Sequence, residues 1–229
     1  MSAKLRGIRA CVFDAYGTLL DFGSAAASCD ELPADKAAAL TALWRDKQLQ
    51  YTWLRVAQNR HADFWQVTGD ALDYTLDAMR ITIPGLRDRL MELYLTLAAF
   101  PEVPATLRRL RAMGFRTAIL SNGTPRMLAT TLAGNGLDGL FDAVLSVEEV
   151  GVFKTHPKVY QLACDRLDVP ASAIAFLSSN GWDAHAASDF GMRVVWCNRY
   201  GQRPERLPGR PDMEINSLAT LPDLIDPTG

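Results

Sequence analysis

The chain has 229 residues, 48% of them apolar, with 24 Lys plus Arg against 26 Asp plus Glu and a formal net charge of -2. That length suits one large domain or one domain carrying an insertion, with enough apolar residues to bury a core. The near-even charge argues against a nucleic-acid or membrane-surface role, no window approaches the ~20 apolar residues that span a bilayer, and the first residues lack a signal-like apolar stretch, so a cytoplasmic protein is expected.

Residues 8 to 14 read as a buried strand that stops on Asp14 and opens a turn, Ala15-Tyr16-Gly17-Thr18. From about Leu32 to Leu97 the pattern turns helical. Leu40, Leu43, Trp44, Tyr51 and Leu54 mark a helix over Ala37 to Gln58, a second covers Ala62 to Met79, and a third begins near Pro84. Such a stretch is too long for a single crossover and predicts a helical insertion. After Pro101 helices and strands alternate. Helices are predicted over Pro104 to Met113, Pro125 to Ala133, Pro157 to Leu167 and Ala184 to Phe190. Strands are predicted over 115–120, 143–145, 174–177 and 192–197. Tyr200 to Asp212 reads as a loop, and 213–225 as a last strand and helix. The fold class is therefore α/β: a Rossmann-like, mostly parallel sheet with helices on both faces. Its core is assigned to 1–20 and 100–229, and an inserted helical cap to 21–99.

Cys11, Cys29, Cys164 and Cys197 include no Cys-x-x-Cys pair and no His at metal spacing, and they read as small buried hydrophobes. His61, His156 and His185 are scattered. No metal site and no cofactor is expected.

The strand ends carry the chemistry. The first gives Asp14 and Thr18, and the second Ser121-Asn122-Gly123-Thr124. The loop after the third gives Lys154, with Tyr160 beyond it, and the fourth strand gives Ser178-Ser179-Asn180-Gly181-Trp182-Asp183. In an open α/β sheet these edges converge on one crevice, and an insertion just past Asp14 forms a lid over it. Two residues after Asp14 stands Tyr16, where a phosphoryl-transfer site would want a second carboxylate. That points to a carboxylate nucleophile working on carbon without a metal. On the insertion, Arg45 shares a helix face with Gln48, Leu49 and Thr52 and can project toward the core.

Phe13-Asp14-Ala15-Tyr16-Gly17-Thr18, Ser121-Asn122-Gly123, Lys154 and Ser178-Ser179-Asn180-x-Trp182-Asp183 resemble the haloacid dehalogenase superfamily. Within it the match is to the L-2-haloacid dehalogenases, and Trp44-Arg45-x-Lys47-Gln48-Leu49-x-Tyr51-Thr52-Trp53-Leu54-Arg55 is similar to that family's arginine-bearing cap helix. The resemblance implies hydrolysis of short L-2-haloalkanoic acids to D-2-hydroxy acids, without a metal, in a homodimer. Asp14 is expected to attack, Lys154 to offset its charge, and Arg45 and Asn122 to receive the halide. Ser121 and Asn122 would hold the substrate carboxylate. Thr18, Ser178 and Asn180 would orient Asp14 and a water, with Asp183 as base and Tyr160 as its partner. Ala15, Tyr16, Phe64 and Trp182 would border the substrate. Asp46 departs from the family, which commonly has an amide there. A magnesium-dependent phosphatase on the same fold and a non-catalytic binding protein are the competing readings.

Overall fold

The computed structural model describes residues 4–226. Six parallel strands form one sheet: β1 (Ala10–Phe13), β2 (Arg116–Ser121), β3 (Ala143–Ser146), β4 (Ile174–Ser178), β5 (Arg193–Cys197) and β6 (Met213–Ile215). Their order is β3-β2-β1-β4-β5-β6. Every residue of β1 is buried, as expected of a central strand covered on both faces. β1 pairs with β2 on one side and β4 on the other. The strand order reverses between β1 and β4, so the crevice for a ligand opens where Asp14 and the Ser178 cluster emerge.

Five helices lie between β1 and β2, the first four being α1 (Ser24–Ala27), α2 (Ala34–Gln58), α3 (Phe64–Ala78) and α4 (Leu86–Tyr94). The 25-residue α2 stops at Asn59, which takes the left-handed conformation (φ 52°) common at helix ends. Asp63 caps α3 by accepting from the Gln66 N–H at 2.9 Å. α4 starts two residues after Pro84, because Gly85 turns into a left-handed conformation (φ 78°) and delays it. The chain leaves the sheet and returns to it through paired segments. The Asp21 N–H donates to the Ala98 carbonyl (2.8 Å), and the Phe100 N–H to the Leu19 carbonyl (2.9 Å).

The other helices flank the sheet: α5 (Val103–Ala112), α6 (Pro125–Gly134), α7 (Pro157–Leu167), α8 (Gly181–Phe190) and α9 (Leu221–Leu224). α8 begins three residues before the position that apolar spacing suggests. The N–H groups of Asp183 and Ala184 bond the Asn180 carbonyl and start the helix there, which puts Asp183 in its first turn. All four cysteines are free and buried, and burial pushes the Cys11 thiol up to about 12. Among the described residues no helix is long and apolar enough to cross a membrane.

Candidate active site

Asp14 follows β1 directly and is 5% exposed. Its Oδ2 accepts from Thr18 Oγ1 at 3.0 Å and from Asn180 Nδ2 at 2.8 Å, and its Oδ1 accepts from Lys154 Nζ at 3.0 Å. The turn that aims it is built by Ala15, whose carbonyl accepts from the Leu19 and Leu20 N–H groups, with Gly17 at φ 88°. Thr18 also ties two loops together, because its Oγ1 accepts from the Ser179 N–H at 2.8 Å. Three donors therefore hold one buried carboxylate in a single orientation.

Lys154 is 1% exposed and bridges two carboxylates, with Nζ also donating to Asp183 Oδ2 at 2.8 Å. Burial works against its charge, but Asp14 and Asp183 outweigh burial and leave the ammonium above its ordinary value. Asp183 is fully buried, and Tyr160 donates to its Oδ1 at 2.8 Å. Burial raises the Asp183 carboxyl and Asp14 adds to the rise, against the opposing pull of Lys154 and Tyr160. Tyr160 is itself pushed well above the phenol range by burial and by Asp183, so it stays a hydrogen-bond donor.

Ser121 is the last residue of β2 and Asn122 lies in the loop after it, while α6 is capped by Thr124, whose Oγ1 accepts from the Met127 N–H. Ser121 Oγ accepts from the Gly123 N–H at 3.1 Å, and Asn122 Oδ1 accepts from the Lys154 N–H at 3.1 Å. Asn122 thus fixes the backbone of the lysine loop. Ser178 acts locally in a similar way, since its Oγ accepts from the Asn180 N–H at 3.2 Å and makes no bond to Asp14. Ser178 thus holds the loop that carries Asn180, whose Nδ2 donates to Asp14 at 2.8 Å.

α2 brings Arg45 over this edge. Its NH1 donates to Gln48 Oε1 at 2.7 Å and its NH2 reaches Asn180 Oδ1 at 3.4 Å, with the guanidinium 5.2 Å from the centre of the Phe22 ring. Gln48 is buried and donates to Thr68 Oγ1 (2.7 Å) and Tyr94 Oη (3.1 Å). Tyr16 closes the wall beside Asp14, stacked on Tyr94 (5.5 Å between centroids) and tilted against Phe64 (5.8 Å). Each such ring pair contributes on the order of 1 kcal/mol. The Tyr16 hydroxyl and Arg45 Nε are buried without a hydrogen-bond partner among the described residues, the condition of polar groups that await a ligand. Trp182 meets Trp53 edge-on at 5.6 Å, and both line a cleft that also includes Arg45 and Asn180.

Spacing puts Gln48 on the same face as Arg45, but Phe22, Tyr94, Gly123 and Trp53 carry no such signal. Gly123 is required by close approach, since a Cβ there would meet the Tyr16 ring and hydroxyl at 2.8 Å. Among the described residues no three His, Cys, Asp or Glu side chains converge where they could hold a metal ion.

Residues 8–191 match the haloacid dehalogenase-like hydrolases. The chain is 44% identical to (S)-2-haloacid dehalogenase 4A of Burkholderia cepacia, covering 93% of each protein. It superposes with a TM-score of 0.93 on a dehalogenase solved with an intermediate complex, at 43% identity over 96% of this chain and 98% of that one. It also superposes, with a TM-score of 0.88, on the L-2-haloacid dehalogenase of Xanthobacter autotrophicus with chloropropionic acid covalently bound, at 36% identity over 95% and 98% of the two chains. The chain therefore belongs to the haloacid dehalogenase-like hydrolases, alongside the (S)-2-haloacid dehalogenases.

Proposed function

We propose that this protein hydrolyses L-2-haloacids to D-2-hydroxy acids through an ester on Asp14. The observation that carries this reading is the Lys154 ammonium, seated between Asp14 Oδ1 (3.0 Å) and Asp183 Oδ2 (2.8 Å). It serves an attacking carboxylate and a basic carboxylate together. An Asp14 oxygen attacks C2 in line with the carbon–halogen bond, and the halide departs with the bonding pair. Arg45, held by Gln48, and Asn122 receive it. The Ser121 hydroxyl and Asn122 hold the substrate carboxylate, while Ala15, Tyr16, Phe64 and Trp182 border its carbon chain. A water then attacks the ester carbonyl of Asp14 and gives its proton to Asp183, whose raised affinity for a proton suits it as a base. The ester opens, the departing alkoxide takes that proton back from Asp183 and leaves as the hydroxy acid, and Asp14 keeps one solvent oxygen as its carboxyl proton passes to solvent. The covalent complex of the Xanthobacter autotrophicus relative supports a bond between enzyme and substrate.

The pairing of Asp14 and Asp183 with one ammonium, and the aromatic Tyr16 two residues past Asp14, support a reaction without a divalent cation. The division into core (1–20 and 100–229) and cap (21–99), a homodimer and a cytoplasmic location belong to the same proposal. Multiple turnovers in 18O-water should label the peptide containing Asp14, halide release should persist with chelator, and Asp14→Asn should abolish it. An unlabelled Asp14 after many turnovers would reject the mechanism.

A further inference from the structure

Between α2 and the loops after β1, β4 and β5 lies a cleft of about 980 Å³. It is several times larger than the ~150 Å³ that hold a benzene ring in an apolar cavity. Its inner end is formed by Arg45 and Asn180, and Asn180 Nδ2 lies 2.8 Å from Asp14 Oδ2. The cleft therefore reaches to within one side chain of the nucleophile. Its walls are apolar and largely aromatic: Phe22, Leu49, Trp53, Trp182 and Tyr200. Alanines of α2, Ala34, Ala37, Ala38 and Ala42, keep it open along one side. Trp53 and Tyr200 are 41% and 55% exposed, large rings whose faces are left for a further group to cover. The charges along it are unequal. Asp21, Asp46 and Glu205 stand against the single cation Arg45, and Glu205 lies over the start of α8, where a Cβ on Gly181 would meet its Cγ at 3.0 Å.

We propose that this cleft receives the substituent on C2 of the substrate, and that the enzyme takes 2-haloacids bearing a bulky, uncharged, aromatic side chain. This rests on the dehalogenase reading above. A haloalkanoic acid of two or three carbons has no group to enter the cleft, whereas a benzyl substituent reaching past Arg45 and Asn180 covers the Trp53, Trp182 and Tyr200 rings. An acidic rim repels a second carboxylate on the tail, so the class is narrowed to monoacids.

The test compares (S)-2-chloro-3-phenylpropionate, (S)-2-chlorosuccinate and (S)-2-chloropropionate by chloride release. The phenyl acid should show a KM about tenfold below that of chloropropionate, the size of discrimination a filled apolar pocket gives, and chlorosuccinate a KM above both. Ala38→Trp fills the cleft from an exposed position on α2. It should remove the phenyl advantage, raising that KM about tenfold, and leave chloropropionate turnover unchanged. Trp53→Ala should weaken the phenyl acid in the same selective way. Equal KM values for the phenyl acid and chloropropionate, or an Ala38→Trp variant that alters both alike, would overturn the inference while leaving dehalogenation standing. Absence of chloride release from all three acids would overturn the dehalogenase reading, and the inference with it.

Discussion

Replacing Lys154 by Met keeps the length of the side chain and removes the charge between Asp14 and Asp183. Lys154 and Asp183 are 1% and 0% exposed, so neither water nor salt replaces the lost ammonium. Breaking a buried pair in this way costs about 3–5 kcal/mol. For a chain of this size each kcal/mol corresponds to about 2–4 °C of Tm, so the loss near neutral pH should be on the order of 6–20 °C. The deficit depends on pH, with a definite sign. In the wild type burial and Asp14 raise the Asp183 carboxyl, and Lys154 pulls it down. Without that pull it rises further. A carboxyl whose folded value exceeds its unfolded value binds more protons when folded, so stability falls as pH climbs through the interval between them. Lys154 itself has a raised value in the wild type, so its contribution is fully present below the ordinary lysine range and does not vary between pH 5 and 8. The variant should therefore lose less at pH 5 than at pH 8, because without the ammonium its Asp183 carboxyl holds a proton to higher pH. Thermal melts of both proteins at the two pH values measure this, alongside a fall in halide release of about 10²–10³-fold. Equal deficits at pH 5 and pH 8 would refute the reasoning, because they would show that Asp183 does not answer to the ammonium.

Tyr160→Phe removes the donor to Asp183 Oδ1, a hydrogen bond to a charged group worth about 1.5–3 kcal/mol. That bond lowers the Asp183 carboxyl, so its loss should lift the acidic limb of the pH–rate profile and cut kcat by about 10–100-fold. Gly123→Ala places a Cβ 2.8 Å from the Tyr16 ring and hydroxyl, and the buried ring has no room to retreat. A destabilisation of about 1–3 kcal/mol in denaturant titration is expected, with weaker turnover. Gln48→Met strips Arg45 NH1 of its acceptor and leaves Thr68 and Tyr94 in place. If Arg45 receives the halide, steady-state kinetics should show a larger loss of kcat for chloroacetate than for bromoacetate, since the poorer leaving group leans more on that charge.

The sheet was legible because its strands are short apolar runs ending on polar turn residues, and the parallel order follows from the alternation with helices. Asp14, Lys154 and the Ser178–Asp183 loop meet for the same reason: each follows a strand at one edge of the sheet. The start of α6 at Pro125 was legible too, and Thr124 caps it. Local chemistry misled at α8. Gly181-Trp182 does not look like a helix opening, yet the Asn180 carbonyl collects two N–H groups and begins α8 there. The aromatic wall was half legible. Tyr16 announces itself beside Asp14, but Tyr94 lies 46 residues beyond Gln48 and meets it only once the cap helices have packed. No periodicity within one helix carries that information.

The placement of charge explains why the insertion belongs to the chemistry. In the proposed reaction Asp14 attacks as a carboxylate while an anionic substrate approaches, and Lys154 is shared between two buried carboxylates. The second cation near Asp14, Arg45, comes from α2, linked to the sheet edge through Asn180 at 3.4 Å. Asn180 in turn donates to Asp14 at 2.8 Å, so the cap cation and the nucleophile share one amide. A cap displaced from this position would remove the charge that balances the substrate, withdraw Phe64 and Tyr94 from Tyr16, and admit water to an ionised carboxylate. The same closure that neutralises the site also dries it, and the gain from neutralising is greatest where water is least. Glu148, on the loop after β3, works in that direction from the opposite side. Its Oε2 lies 2.9 Å from His61 Nε2 and its Oε1 accepts from the Phe64 N–H at 3.2 Å, which pins the start of α3 to the core beside Phe153 and Lys154. Two clasps, Arg45 of α2 on Asn180 and Glu148 on the start of α3, therefore tie the inserted helices to the sheet edge on either side of Asp14.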